Sequence, residues 1–276
     1  MKVLLPFSAD RLPAAPDGFT VTTYDIDTVQ PDEVADTQFY VPTYMSGSKP
    51  AELVTSMPQL RVVQTLTAGV DNIVPYVPAG VLLCNAAGVH DAATSELAVG
   101  MMIAAQRRFV ELVRAQDKGA WDVRVTPALA DSRILVVGAG HIAHALARRL
   151  DGFECQVTLV GRTARDGIRG IDELPYLLPK TDIVVLLVPL TDQTEGMVDE
   201  AFLAALPDGA LVVNVARGKV VVTEALLAEL RSGRLRACLD VTDPEPLPPD
   251  HDLWSAPGVF ITPHEGGAAY SMWPRA

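Results

Sequence analysis

The sequence predicts an α/β protein in two domains, each built on a parallel β-sheet covered by helices. Three observations carry this. Short apolar runs alternate with helical patterns along most of the chain, as crossover-connected parallel strands require. The apolar runs of the second half are near-continuous, which marks strands buried on both faces. A glycine-rich turn of the kind that opens a nucleotide-binding domain comes only at Gly138, so the residues before it need a domain of their own. At 276 residues the chain is long for one core and comfortable for two.

In the first part, "KVLLPF", "FTVTTYDI", "QFYVPTY", "LRVVQTL" and "VLLCNA" read as strands. "KPAELVTSM" reads as a short helix with Pro50 in its first turn. From Asp91 to Gly119 apolar residues recur at helical spacing, with a capping residue at the start and a Gly at the end. This predicts one long helix bridging the two domains. From Ser132 the alternation restarts. "RILVVG", "CQVTLVG", "DIVVLLVP", "ALVVNVA", "RACLDV" and "VFITPH" are strands, and "HIAHALARRL", "DELPYLL", "DEAFLAAL" and "TEALLAELRSG" are helices. The Pro-rich "DPEPLPPD" is a loop, because strands stand on both sides of it. The expected domains are residues 1–92, with 268–276 as a candidate return to the first, and 93–267.

A net charge of −12 argues against nucleic acid, whose phosphates demand clustered cations. It also means that an anionic substrate needs locally placed cations or backbone amides. Cys84, Cys155 and Cys238 are odd in number and far apart, as buried thiols of a reducing compartment are. No closely spaced pair suggests zinc. His141 and His144 lack a third ligand, so no metal is expected. The N-terminal "VLLPF" is too short for a signal core, and no run reaches a membrane span; the expectation is a cytoplasmic protein with no membrane partner.

In "ILVVGAGHIAHALARR", Gly138, Gly140 and Ala143 stand at the three positions of G-x-G-x-x-G/A. The first Gly permits the turn, the second admits a pyrophosphate, and the third position needs a small residue for packing. N–H groups at His141 and Ile142 then face the phosphates with the helix dipole behind them. NAD-binding domains usually carry Asp or Glu at the tip of the next strand. Here "GRTAR" supplies Arg162, Thr163 and Arg165. Two guanidiniums and a hydroxyl suit a ribose 2′-phosphate, which a carboxylate would repel. The expected cofactor is NADP(H) in preference to NAD(H), with NAD(H) still accommodated.

Further on, Arg217 in "VVNVARGK", Asp240 and Glu245 in "CLDVTDPEPLP", and His264 in "VFITPHEGG" each follow a strand end. Ligands of open α/β sheets bind at that edge, so these four side chains are candidates to gather near a nicotinamide.

Taken together, "TAGVDNI", "NAAGVH", "VGAGHIA", "VPLTDQTEGMV", "NVARG", "LDVTDPEPLP" and "TPHEGG" resemble, in order, the blocks of the D-isomer-specific 2-hydroxyacid dehydrogenases. The likeness is greatest to their glyoxylate/hydroxypyruvate reductase branch and runs from about Thr65 to Ala268. It implies a Rossmann-type doubly wound domain inserted into a smaller flavodoxin-like α/β substrate domain, with the active site in the cleft. The implied activity is NADPH-preferring reduction of small 2-oxoacids to D-2-hydroxyacids. Arg217 would pair with the substrate carboxylate and carbonyl oxygen. His264 would be the acid/base, and Glu245 would orient its ring and favour the imidazolium. Asp240 would bind the cofactor carboxamide, with Val215, Ala216 and Pro189 lining the ring. Backbone N–H groups of Ala68, Gly69 and Val70 would grip the substrate carboxylate. A homodimer through the helix at 91–119 is implied as well.

Two departures stand out. Relatives continue past this C-terminus with a helix returning to the first domain, which bears on closure and turnover. Glu265, directly after the acid/base, stands where an apolar residue is usual. The alternative reading is a dinucleotide-sensing scaffold similar to the corepressors of the superfamily, with little turnover.

Overall fold

Val, Leu and aromatic residues in short alternating runs build the first sheet. The computed structural model describes residues 1–276, and its strands begin with β1 (Lys2–Leu5), β2 (Thr20–Thr23), β3 (Phe39–Tyr40), β4 (Val62–Gln64) and β5 (Leu82–Cys84). They pair in parallel in the order β2-β1-β3-β4-β5, which is the flavodoxin-like 2-1-3-4-5 arrangement. β1 explains how both faces are covered. Leu4 enters one apolar cluster with Val34, Tyr40, Met57 and Val63, and Val3 and Leu5 enter another with Val41 and Leu66, following the two-residue period of a strand. The helix α1 (Lys49–Glu52) carries Pro50 in its first turn and continues as a 3₁₀ turn over Leu53–Ser56. The chain divides into two compact units, Met1–Val89 with Pro274–Ala276, and His90–Trp273.

The second unit opens with helices α2 (Asp91–Gln106) and α3 (Phe109–Asp117). β6 (Arg133–Val137), α4 (His141–Leu150), β7 (Gln156–Gly161), β8 (Ile168–Gly170), α5 (Leu174–Leu177) and β9 (Ile183–Leu186) follow. Then come α6 (Glu200–Ala204), β10 (Leu211–Asn214), α7 (Thr223–Arg231), β11 (Arg236–Leu239), β12 (Val259–Ile261) and the short α8 (Met272–Arg275), of which Met272 and Trp273 belong to the second unit and Pro274 and Arg275 to the first. The seven strands are parallel, in the order β12-β11-β10-β9-β6-β7-β8. This is the doubly wound Rossmann order, which reverses between β6 and β9. β9 shows why its sequence is unbroken "IVVL". Ile183 and Val185 pack into one core layer, Val184 and Leu186 into the other, and all four are fully buried. Because every strand runs the same way, the loops after β6, β7, β9, β10, β11 and β12 share one edge.

Two expectations are corrected here. The predicted single helix from Asp91 to Gly119 is two helices, both within the second unit, so it is not a bridge between the units. Arg108 breaks it with a left-handed φ of 57° and ion-pairs through Nη2 with Asp122 Oδ2 at 2.9 Å. The end of α2 is met by the Arg236 guanidinium, which donates to the Ala105 carbonyl at 3.3 Å and Gln106 Oε1 at 2.7 Å. Cations at a helix C-terminus satisfy its orphan carbonyls. Arg107 and Arg108 are good helix formers, so nothing local announces the break. The edge strand β8 is an addition to the expected strands. It has three residues, with one Arg between Ile and Gly, and carries no legible period.

Candidate active site

The phosphate turn is built as its residue types require. Gly138 has φ 122°, and a Cβ there would lie 2.5 Å from the Leu187 carbonyl oxygen, where β9 ends. The turn is therefore pressed against the neighbouring strand at the point of order reversal. Gly140 differs: a Cβ there would meet nothing within 4 Å. That open space is what a pyrophosphate needs. As N-cap of α4, Gly140 has no side chain to offer the first N–H groups, and none caps them. His141 is exposed and Ile142 half-buried beside them, while Ala143 is buried in the core. A dinucleotide fits this cradle.

Arg162, Thr163 and Arg165 are all exposed in the loop after β7. Arg165 is anchored by reciprocal backbone bonds with Ile168 at 3.0 and 2.8 Å. Its Nη2 donates to the Ala139 carbonyl at 3.2 Å, which brings the guanidinium to the phosphate turn itself.

On the same sheet edge, His264 Nδ1 lies 2.6 Å from Glu245 Oε1. Glu245 sits in the loop after β11, between two cis X-Pro bonds. Burial alone would raise its carboxyl. The hydrogen bond from His264, the His264 charge, a backbone bond at Thr242 and the Arg217 charge outweigh burial and hold it below the usual carboxylate range. An ionised carboxylate only accepts, so Nδ1 carries the proton and donates. Nε2 is left for another partner.

Asp240 is buried at the end of β11. Its Oδ1 accepts from Thr262 Oγ1 at 2.6 Å and from the Glu265 N–H at 2.8 Å, and its Oδ2 accepts from the Gly266 N–H at 2.8 Å. Its carbonyl accepts from the His264 N–H at 2.7 Å. The Glu265 side chain points to solvent.

Arg217 follows β10 and is half-buried, with Nη1 donating to the Ala216 carbonyl at 2.8 Å. Its loop is held by Asn214, a buried residue with no role foreseen from sequence. Asn214 Nδ2 donates to the Arg217 carbonyl at 2.9 Å, and its Oδ1 accepts from the Ala216 N–H at 3.1 Å. The sequence signal was an amide at the end of an otherwise apolar strand. Val215 and Ala216 are buried, and Pro189 is exposed after β9, its carbonyl accepting from Thr194 Oγ1 at 2.6 Å.

In the first unit, the turn after β4 has its carbonyls occupied. Asn85 Nδ2 donates to Ala68 at 2.9 Å, Thr67 Oγ1 to Gly69 at 2.7 Å, and the Ile73 and Val74 N–H groups to Val70 at 3.0 Å. The N–H groups of Ala68, Gly69 and Val70 donate to no protein acceptor.

A sheet of this strand order, with an uncapped helix and a glycine turn at its reversal, is a dinucleotide-binding domain. An imidazole hydrogen-bonded to a carboxylate on the same edge is a pair able to carry proton transfer, the chemistry a nicotinamide-dependent oxidoreductase needs. Comparison with known proteins agrees. Residues 99–266 match the family described as D-isomer specific 2-hydroxyacid dehydrogenase, NAD binding domain. A glyoxylate reductase of Thermofilum pendens is 34% identical over 240 residues, covering 82% of this chain and 71% of that protein. The glyoxylate reductase/hydroxypyruvate reductase of Mus musculus is 34% identical over 226 residues, covering 76% and 69%. A D-isomer specific 2-hydroxyacid dehydrogenase from Xanthobacter autotrophicus Py2, solved with NADPH and MES, superposes with a TM-score of 0.80 at 29% identity, covering 99% of this chain and 90% of that one. The chain belongs to the D-isomer-specific 2-hydroxyacid dehydrogenase family and, within it, to the glyoxylate reductase branch. It is an NAD(P)-dependent oxidoreductase. No helix is long and apolar enough to cross a membrane.

Proposed function

We propose that the chain reduces small 2-oxoacids of the glyoxylate and hydroxypyruvate type to D-2-hydroxyacids, with NADPH preferred over NADH. The observation that carries this reading is the 2.6 Å contact of His264 with Glu245 on the edge that holds the phosphate turn. When bound, the cofactor supplies the hydride. His264 gives the proton from Nε2 to the carbonyl oxygen, and Glu245 keeps Nδ1–H engaged and compensates the imidazolium charge. Arg217 pairs with the substrate's carboxylate and carbonyl oxygens, a task suited to a planar fork. The open N–H groups of Ala68, Gly69 and Val70 bind the carboxylate.

Gly138, Gly140, His141 and Ile142 hold the pyrophosphate, and Val215, Ala216 and Pro189 line the nicotinamide. Asp240 keeps one acceptor position on Oδ2 for the carboxamide. Arg162, Thr163 and Arg165 bind the 2′-phosphate, and the contact of Arg165 with Ala139 supports this by fixing one cation beside the turn. The solved relative from Xanthobacter autotrophicus, which holds NADPH, supports the same preference. The substrate domain we assign is the part that carries the Ala68–Val70 turn. A dinucleotide-sensing scaffold without turnover has no observation in its favour.

We also propose a homodimer formed by α3 and the segment after it. The test of the activity is the decay of reduced-nicotinamide absorbance with glyoxylate, hydroxypyruvate and bulkier 2-oxoacids, run with each cofactor. The expected result is a larger kcat/KM with NADPH and with the two small acids. No decay with any 2-oxoacid overturns the reading, and equal kcat/KM for NADPH and NADH overturns the cofactor assignment.

A further inference from the structure

His264 is one of five non-glycine residues with positive φ, at 56°. A non-glycine residue in the left-handed region is strained and persists only where surrounding contacts impose it. Here those contacts can be named. Besides the local bond of the His264 N–H to the Thr262 carbonyl at 3.0 Å, they come from two elements distant in sequence. From the end of β11, the Asp240 carbonyl takes the His264 N–H at 2.7 Å, and the Asp240 carboxylate takes the next two N–H groups, of Glu265 and Gly266, at 2.8 Å each. From the first turn of α2, the Thr94 hydroxyl donates to the Gly266 carbonyl at 3.0 Å. Thr94 is itself buried, and its own N–H is bonded to the His90 carbonyl at 3.0 Å. Gly266 is thus gripped at both its N–H and its carbonyl. A Cβ there would lie 2.9 Å from Asp240 Oδ2 and 3.4 Å from Thr94 Cγ2, so the grip closes around a residue without a side chain.

We propose that Thr94 is a positioning residue for the proton-transfer step: with Asp240 it fixes the Gly266 peptide, and so holds His264 in the left-handed conformation that aims its ring at Glu245. The inference rests on the reading of His264 as acid/base. Thr94 hydrogen-bonds to neither that ring nor Glu245. Its hydroxyl acts through one carbonyl, two residues downstream of His264.

Thr94→Val keeps the shape and removes the hydroxyl. With NADPH and glyoxylate, kcat is expected to fall about ten- to a hundredfold, the range for a catalytic group displaced by a fraction of its contact distance. NADPH binding, followed by protein fluorescence, stays within about twofold, and Thr94→Ser restores kcat to a similar margin. In the ligand-free protein the His264 Nδ1–H proton resonance is expected in the wild type and broadened in Thr94→Val. In a His264→Asn background, Thr94→Val adds no further loss, because both changes remove the same function. Gly266→Ala tests the grip from the other end if Thr94→Val does not fold: its Cβ would lie 2.9 Å from Asp240 Oδ2 and 3.4 Å from Thr94 Cγ2, so the peptide must shift, and kcat is expected to fall at least as far.

Wild-type kcat in Thr94→Val, failure of Ser to restore it, or a full additional loss in the His264→Asn background overturns the positioning role. Unchanged turnover in His264→Asn alone overturns the acid/base reading instead, and the proposal with it.

Discussion

Glu245 carries a charge whose effect can be separated from its geometry. Gln at this position can still accept the Nδ1–H of His264, so Glu245→Gln keeps the ring oriented and removes only the compensation of the imidazolium. The expected consequence is a kcat for 2-oxoacid reduction lower by about ten- to a hundredfold, with KM changed much less. The pH dependence follows from the depressed carboxyl. A group held below its ordinary value contributes stabilisation that is fully present above the ordinary carboxylate range, roughly pH 4, and is lost as pH falls through its folded value. The wild-type pair therefore comes apart only in acid below that range, and the Gln variant lacks this acid step. A Gln variant with wild-type kcat, or with the same acid limb, would sink the assignment. At this scale the sequence was legible where a polar residue ended an apolar strand, as with Arg217, Asp240 and His264. Asn214 carries the same strand-end signal, but nothing in the sequence tells that it holds the Arg217 and Ala216 backbone, and on Thr94 the sequence is silent, because what it holds is a backbone group, which has no letter in the sequence.

Among the elements, the close approach of the loop after β10 to the loop after β11 makes a second prediction. A Cβ on Gly218 would lie 1.9 Å from the Thr242 carbonyl oxygen and 2.7 Å from the Asp243 nitrogen. Both atoms are backbone, so no side chain can swing aside. Gly218→Ala must then move one loop relative to the other, and these loops carry Arg217 and Glu245. A loss of about 1–3 kcal/mol in denaturant unfolding is expected, the cost of overpacking, together with reduced kcat. Gly140→Ala is the contrast. Nothing stands within 4 Å of its Cβ, so stability should stay within about 0.5 kcal/mol while dinucleotide affinity falls. Equal stability losses in the two variants would refute this account of the glycines. The strands and α4 were readable because each is local, apolar and periodic. The break between α2 and α3 was not, because it is made by Asp122 and Arg236, which reach it from elsewhere in the chain.

For the whole molecule, the alternation of apolar runs with helical patterns predicts the fold class and the net charge argues against nucleic acid, but neither tells what covers α3. That helix buries none of its residues. Phe109, Leu112 and Val113 are exposed on it, and Trp121, Val123 and Val125 follow in the next segment, with Trp121 94% exposed. A nine-residue helix with no buried residue has little to hold it in water, and large apolar side chains exposed at this density between residues 109 and 125 are the kind of surface that marks an interface. The occupant we expect is a second copy of this chain. Each copy brings a net charge of −12, so association works against like-charge repulsion that salt screens. An interface held by apolar contact should therefore tighten as salt is raised, whereas one held by ion pairs would loosen. Light scattering during gel filtration is expected to give twice the chain mass at micromolar concentration. It should give the monomer for a Val113→Asp, Trp121→Ser variant, with the dimer fraction of the wild type rising from low to high salt. A wild-type monomer at these concentrations, or a dimer indifferent to both substitutions, would leave α3 without the partner argued for it.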